Sequence, residues 1–416
     1  MCVLIIFFRI LNTFYGTMKK LNLTVFLLLF LFSNQFPQDQ PYVLLISFDG
    51  FRWDYSKRGI TPNLDIIKQN GVSALSLRPV YPTITFPNHL SIITGLYPEN
   101  HGIIQNYFTD PVTGDSYKIS DTSAVRNSKW YKGEAFWETA GRQGIITASY
   151  FWPGSEVNVK HRRPYYYEKY EHMRDYRKRI DGIVDWLKLP YEVRPHFITL
   201  YFDATDTQGH QTGPDSPEIN KTIARLDTLM GVLFSELKKI GMYDSTNIIV
   251  LSDHGMAEVS KSRVVEIDKI IGDNKDVQWN GPIMMVNAHK DSIPAIYEKL
   301  KSHEDHYKVY TKENIPEYFH FSENHMIYPI ILAAENRWSL SYGKSSWNSR
   351  GGAHGYEKDE MDMHATFMAM GPNFRIGFHT GTLWNIDIYP LLCKLFNIHP
   401  RQNIDGRLDR IEFILR

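Results

Sequence analysis

Acids, imidazoles and one hydroxyl recur at a few points of this chain, each time just after an apolar run. Val43–Phe48 leads into Asp49-Gly50, and Phe197–Phe202 into Asp203 and Asp206-Thr-Gln-Gly-His210. Ile248–Leu251 leads into Ser252-Asp253-His254-Gly255-Met256, and a fourth cluster is Gly351-Gly352-Ala353-His354-Gly355-Tyr356. Taken singly each is bland: an Asp after a strand is most often a turn former or helix cap. Together they read as a metal centre. Asp206 and His210 are four apart, so on a helix they share one face and can grip one ion. Asp253 and His254 are adjacent and must project differently, which suits a ligand pair on an extended loop. Asp/His sets without thiolate fit zinc ahead of manganese or iron.

The candidate nucleophile lies in Thr85-Phe86-Pro87-Asn88-His89. Pro87 suits the first turn of a helix, where its missing N–H costs nothing, and Leu90, Ile93 and Thr94 carry that helix to Gly95, a natural stop. Thr85 then stands just ahead of a helix amino terminus, where free N–H groups and the dipole favour an anion such as a phosphoryl group. Its ordinary alternative is a plain N-cap.

These residues need a frame. The runs Val43–Phe48, Ile145–Ala148, Phe197–Phe202 and Ile248–Leu251 are apolar without strict alternation, as parallel strands covered on both faces are. Ile180–Leu187 and Ile223–Ile240 carry apolar residues at helical spacing. Strands alternating with helices predict a doubly wound α/β sheet, with ligands at the carboxyl ends of its strands. The stretch 297–345, rich in His, Glu, Lys and Tyr, breaks the rhythm and is expected to form a small inserted lobe.

Composition narrows the choice. The 416 residues carry 46 Lys+Arg against 46 Asp+Glu, so no basic footprint marks a sequence-specific nucleic-acid binder. Two cysteines, Cys2 and Cys393, support neither a disulfide framework nor a four-cysteine zinc site, and leave the 16 histidines to be explained. Met18-Lys19-Lys20 followed by apolar Leu21–Phe32 has the form of a signal peptide, too short to span a bilayer. Residues 1–38 are therefore expected to be a signal peptide or an uncleaved anchor, with Met18 a candidate start and 39–416 the catalytic domain. Any membrane contact is expected only through that segment.

With these motifs in order, the chain resembles the nucleotide pyrophosphatase/phosphodiesterase family of the alkaline phosphatase superfamily, in the manner of a bacterial-type exported member. The resemblance runs from about Tyr42 to about Phe374. It rests on Ser47-Phe48-Asp49-Gly50-Phe51-Arg52, on Thr85-Phe86-Pro87-Asn88-His89 with Thr94-Gly95-Leu96-Tyr97-Pro98 and His101-Gly102-Ile103, and on the Asp206, Asp253 and His354 blocks.

The resemblance implies an alkaline-phosphatase-like sheet, mostly parallel, with helices on both faces. It implies two Zn2+ ions, one held by Asp206, His210 and His354, the other by Asp49, Asp253, His254 and Thr85. Asn106 is then a donor to phosphoryl oxygens, Phe86 and Tyr201 a pair that sandwiches a nucleobase, and Trp152 and Tyr170 further pocket walls. Two positions depart from the family: Asp203-Ala204-Thr205 replaces the usual acidic pair and proline, and Ile84 stands where nucleotide-specific members often carry lysine. The implied activity is hydrolysis of phosphodiester or pyrophosphate bonds in nucleotides and dinucleotides through a phosphothreonine. Without an Arg in the nucleophile block, a singly charged diester is favoured over a monoester dianion. The alternatives are a lysophospholipid or glycerophosphodiester phosphodiesterase, a phosphomonoesterase, and, outside catalysis, a metal-binding surface pseudoenzyme. A small-molecule substrate and a periplasmic or extracellular location, free or anchored, are expected.

Overall fold

A computed structural model describes residues 40–273, 275–343 and 351–416. The expected amino-terminal signal or anchor lies outside these residues. Among them, eight strands form the central sheet, in the spatial order Phe378–Thr380, Gly71–Ala74, Phe367–Met370, Thr246–Leu251, Tyr42–Phe48, Phe197–Phe202, Thr147–Tyr150, Tyr166–Glu168. Only Phe367–Met370 runs antiparallel to its two neighbours; the other pairings are parallel.

The apolar runs have a simple cause. Successive strand residues point to opposite faces, and both faces are covered. Val43 and Leu45 pack with Ile249 and Leu251 beneath the helices Thr85–Thr94, Phe136–Arg142 and Ile388–Leu395. Leu44 and Ile46 pack with Ile248 and Val250 beneath Pro62–Asn70, Tyr176–Leu187 and Pro217–Lys239. The helices start earlier than apolar spacing alone predicts, because polar caps open them: Asp175 accepts from Arg177 N, and Ser216 from Ile219 N, with Pro217 in the first turn. The second run forms its strand over Thr147–Tyr150, shifted beyond 145–148.

A second, antiparallel sheet orders Asp276–Gln278, Ile283–Asn287, Ile330–Ala334 and Tyr307–Thr311, packed on the helix Ile293–Lys301. It begins at Asp276, upstream of the 297–345 stretch, because the apolar run Ile283–Val286 supplies a central strand that the polar composition downstream does not advertise. This lobe braces the central domain. Glu99 accepts from Ser322 N and Glu323 N at 2.8 and 2.9 Å, and Tyr97 stacks on His320 at 3.7 Å.

Candidate active site

Three neighbouring parallel strands, Thr246–Leu251, Tyr42–Phe48 and Phe197–Phe202, end side by side, and each delivers acids or imidazoles from its carboxyl end. That is where an open α/β sheet collects ligands. Asp49 follows the middle strand, with Gly50 at φ 65° turning the chain sharply. Asp206 and His210 sit one turn apart on the helix Ala204–Thr212, with His210 Nε2 at 3.3 Å from Asp206 Oδ1. His354 Nε2 lies 3.3 Å from that same oxygen and 3.1 Å from His210 Nε2. On the other side His254 Nε2 lies 3.1 Å from Asp253 Oδ2 and 3.4 Å from Asp49 Oδ1. The His254 ring stacks on His354 at 3.6 Å, so the two groups adjoin.

The donor set fits metal ions on three counts. Ligand atoms of Asp49, Asp253 and His254, and of Asp206, His254 and His354, each fall within 4.8 Å of one another. Asp49 Oδ1, Asp206 Oδ1 and Asp253 Oδ2 are buried without a hydrogen-bond donor, and buried polar atoms in native folds are otherwise partnered. Each imidazole also spends its Nδ1 on a backbone carbonyl: His210 on Gly352, His254 on Gly255 and His354 on Thr83, at 2.8–2.9 Å. That fixes the tautomer and aims Nε2 inward, as metal-bound histidines require.

Electrostatics agree. Burial, aided by the charges of Asp253 and Asp206, drives Asp49 well above the usual carboxylate range. Burial also works against Asp206, but His210 and His354 outweigh it and hold that acid well below its usual range. Burial opposes charge on His210, yet Asp206 pulls it up to about 9. Burial and the neighbouring His254 push His354 down to about 4. Three carboxylates this close need positive charge among them.

Thr85 opens the helix Thr85–Thr94 as its first residue, and Gly95 closes it at φ 67°. The N-cap is Ile84, which makes no side-chain bond, so Thr85 does not serve as the cap. Its hydroxyl lies 3.2 Å from His254 Nε2. Asn106 Oδ1 accepts from Phe86 N at 3.0 Å, which turns its NH2 away from that amide as a spare donor.

Thr85, Phe86, Asn106, Trp152, Tyr170 and Tyr201 line one cleft with Asp49, Asp206, His210 and His354, of about 470 Å³. Trp152 is buried, its indole N–H donated to His89 O. Tyr170 is half exposed, while Tyr201 is 8% exposed and its hydroxyl donates to Asp49 Oδ2. Asp253 and His254 lie beneath, fully buried.

Sequence reasoning assigned no role to His89 or Arg179. His89, wholly buried, has Nδ1 at 2.9 Å from Thr85 O and 3.3 Å from Asp253 Oδ2, and Nε2 at 2.8 Å from Ser47 Oγ. Its spacing from Thr85, one helical turn, was the available signal. Arg179, also wholly buried, donates to Tyr201 O and Asp203 Oδ1; nothing local in the sequence announces it.

The family profile described as type I phosphodiesterase / nucleotide pyrophosphatase matches residues 43–357. Ectonucleotide pyrophosphatase/phosphodiesterase family member 1 of Homo sapiens is 36% identical over 88% of this chain and 41% of its own. A bis(5'-adenosyl)-triphosphatase of Xenopus laevis is 34% identical over 90% of this chain and 82% of its own. The solved structure of murine family member 5, an inactive threonine-to-alanine variant in complex with AMP, superposes with TM-score 0.86 at 32% identity, covering 91% of this chain and all of that one. The chain thus spans about two fifths of the length of the first of these relatives. With the central sheet, the converging acids and imidazoles and these matches in agreement, the chain belongs to the type I phosphodiesterase / nucleotide pyrophosphatase family.

Proposed function

We propose that this protein is a zinc-dependent hydrolase of phosphodiester and pyrophosphate bonds in nucleotides and dinucleotides, acting through a phosphothreonine on Thr85. One observation carries the reading: the Thr85 hydroxyl stands 3.2 Å from His254 Nε2, at the rim of three orphaned carboxylate oxygens. Asp206, His210 and His354 would hold one Zn2+, and Asp49, Asp253, His254 and Thr85 the other. When bound, such ions lower the pKa of a coordinated hydroxyl and neutralise charge on transferring phosphoryl oxygens.

The chain's own residues do the rest. Thr85 Oγ gives up its proton and attacks phosphorus, a P–O bond to Oγ forms, and the bond to the leaving oxygen breaks, that oxygen departing with the electron pair and taking up a proton. The free Asn106 NH2 donates to a non-bridging oxygen, and the helix amino terminus behind Thr85 favours the negative charge there. Water then attacks the phosphothreonine, and Thr85 Oγ departs with its electron pair and regains a proton. Phe86 and Tyr170 offer aromatic surface for a base, which stacks on any such face. Tyr201 also lines the cleft, with its hydroxyl committed to Asp49. The cleft volume of about 470 Å³ suits a nucleotide-sized ligand.

A phosphomonoesterase is less well supported. Arg126 lines the cleft, but Glu156 engages it at 2.8 Å, so its charge is already balanced by a carboxylate. The names of the relatives, a pyrophosphatase/phosphodiesterase and a bis-adenosyl triphosphatase, point the same way. The apolar run after Met18 supports action outside the cytoplasm. The test is a comparison of turnover on a dinucleoside polyphosphate, a nucleoside triphosphate, a nucleoside monophosphate and glycerophosphocholine. The first two should be cleaved and the monophosphate spared; glycerophosphocholine cleaved fastest would contradict the nucleotide reading.

A further inference from the structure

Tyr201 reads in the sequence as an aromatic wall. Its place in the sheet gives it a second task. In the parallel pairing of Tyr42–Phe48 with Phe197–Phe202, Tyr201 lies opposite Ser47. Residues paired in register across parallel strands share a face, so Ser47 and Tyr201 lie on one side of the sheet, and Asp49 is the first residue past the strand end. The Tyr201 hydroxyl therefore meets Asp49 diagonally and donates to its Oδ2. The other oxygen, Oδ1, is buried without a donor and faces His254 at 3.4 Å.

The backbone of Asp49 is already fixed. Its N–H donates to Phe202 O at 2.9 Å and its carbonyl accepts from Thr205 Oγ1. A pinned backbone still leaves the side-chain torsions, and the terminal one, which decides which carboxylate oxygen faces inward, is broad and roughly two-fold. The Tyr201 hydroxyl holds that rotation and leaves Oδ1 as the inward oxygen. Tyr201 is itself held: its carbonyl takes the buried Arg179 guanidinium at 2.8 Å, and its ring meets His89 edge-on at 5.3 Å. Yet the same ring lines the cleft and touches Tyr170 at 6.3 Å.

Resting on the metal-centre reading above, we infer that Tyr201 is a positioning residue for Asp49, so that one side chain joins the substrate wall to the metal centre. Its hydroxyl sets the metal-facing oxygen, and its ring borders the substrate. A ligating carboxylate that loses such a partner binds metal or turns over about 10–100-fold less well.

Tyr201→Phe separates the two tasks, since it removes the hydroxyl and keeps the ring. The measurements are zinc per chain after dialysis against a graded chelator series, kcat and KM on one dinucleotide, and the thermal melt of the metal-free protein. Expected is a metal-free protein that still melts cooperatively, at a somewhat lower temperature because Asp49 Oδ2 has lost its donor, with one zinc of the two lost at about 10–100-fold lower chelator concentration than in the parent, a matching fall in kcat, and KM nearly unmoved. Tyr201→Leu, which also lacks the ring, should add a rise in KM. Zinc retention and kcat equal to the parent in Tyr201→Phe would overturn the inference and leave Tyr201 as wall alone. A parent protein that retains no zinc would instead sink the metal-centre reading, a separable outcome.

Discussion

The Nδ1 nitrogen of His354 lies 2.9 Å from the backbone carbonyl oxygen of Thr83, two residues before Thr85. Thr83 returns the hold: its Oγ1 accepts from Gly355 N at 2.8 Å and donates to Tyr356 O at 3.0 Å. The loop bearing His354 and the loop leading to Thr85 are thus one hydrogen-bonded unit, although about 270 residues separate them in sequence.

Thr83→Val should break that unit. It keeps the backbone carbonyl that holds His354 but leaves the buried Gly355 N–H and Tyr356 carbonyl unpaired, costing about 1–3 kcal/mol, and so loosens the loop that carries His354. Expected is a thermal shift downward and a kcat about 10–100-fold lower, with Thr83→Ser restoring both. Equal kcat in parent and Thr83→Val would show that the contact does not position the site.

Gly50 turns the chain between Asp49 and the Asp206 helix at φ 65°, and a Cβ there would stand 2.9 Å from Asp206 Cα. Both the conformation and the space demand glycine. Gly50→Ala should push Asp206 away from Asp49 and lower zinc stoichiometry below two per chain; full stoichiometry by metal analysis would refute the packing argument.

His101 predicts acid sensitivity. It is buried against the helix Thr85–Thr94; Ile103 N donates to its Nδ1 at 3.2 Å and its Nε2 sits 3.1 Å from Pro87 O. Burial pushes its pKa down to about 3. The unfolded chain, with an ordinary histidine near 6.5, binds the proton first, so this contribution to stability is whole above 6.5. It is lost as pH falls toward 3, at about 1.4 kcal/mol per unit. His101→Gln should flatten the difference in denaturant midpoints between pH 7 and pH 5; parallel curves would contradict the assignment.

Metal removal should be felt in stability as well as rate. A ligand that binds only the folded chain stabilises it by about 4 kcal/mol at a thousand times its dissociation constant. Chelation should therefore abolish turnover and lower the melting temperature, with zinc restoring both. A melt insensitive to chelator would argue against a buried metal centre.

Much of this site is legible in the sequence because its key residues follow strand ends and the helix start in recognisable runs: Asp49, Asp253 and His254, Asp206 with His210, and Thr85 before Pro87. The adjacency of their three strands turns that local pattern into one cleft. What escapes is contact across the sheet. Tyr201 reads as an aromatic wall because its hydroxyl partner is 152 residues away. His89 reads as motif filler because Ser47 and Asp253, its partners, come from two other strands. The lobe's first strands escape because composition, not pattern, marked that region.

In the proposed reaction Thr85 carries the phosphoryl group. Thr85→Ala, purified with zinc, should keep a folded, metal-loaded cleft that binds AMP in titration calorimetry while dinucleotide turnover falls to background. Turnover that persists in that variant with zinc bound would contradict the assignment.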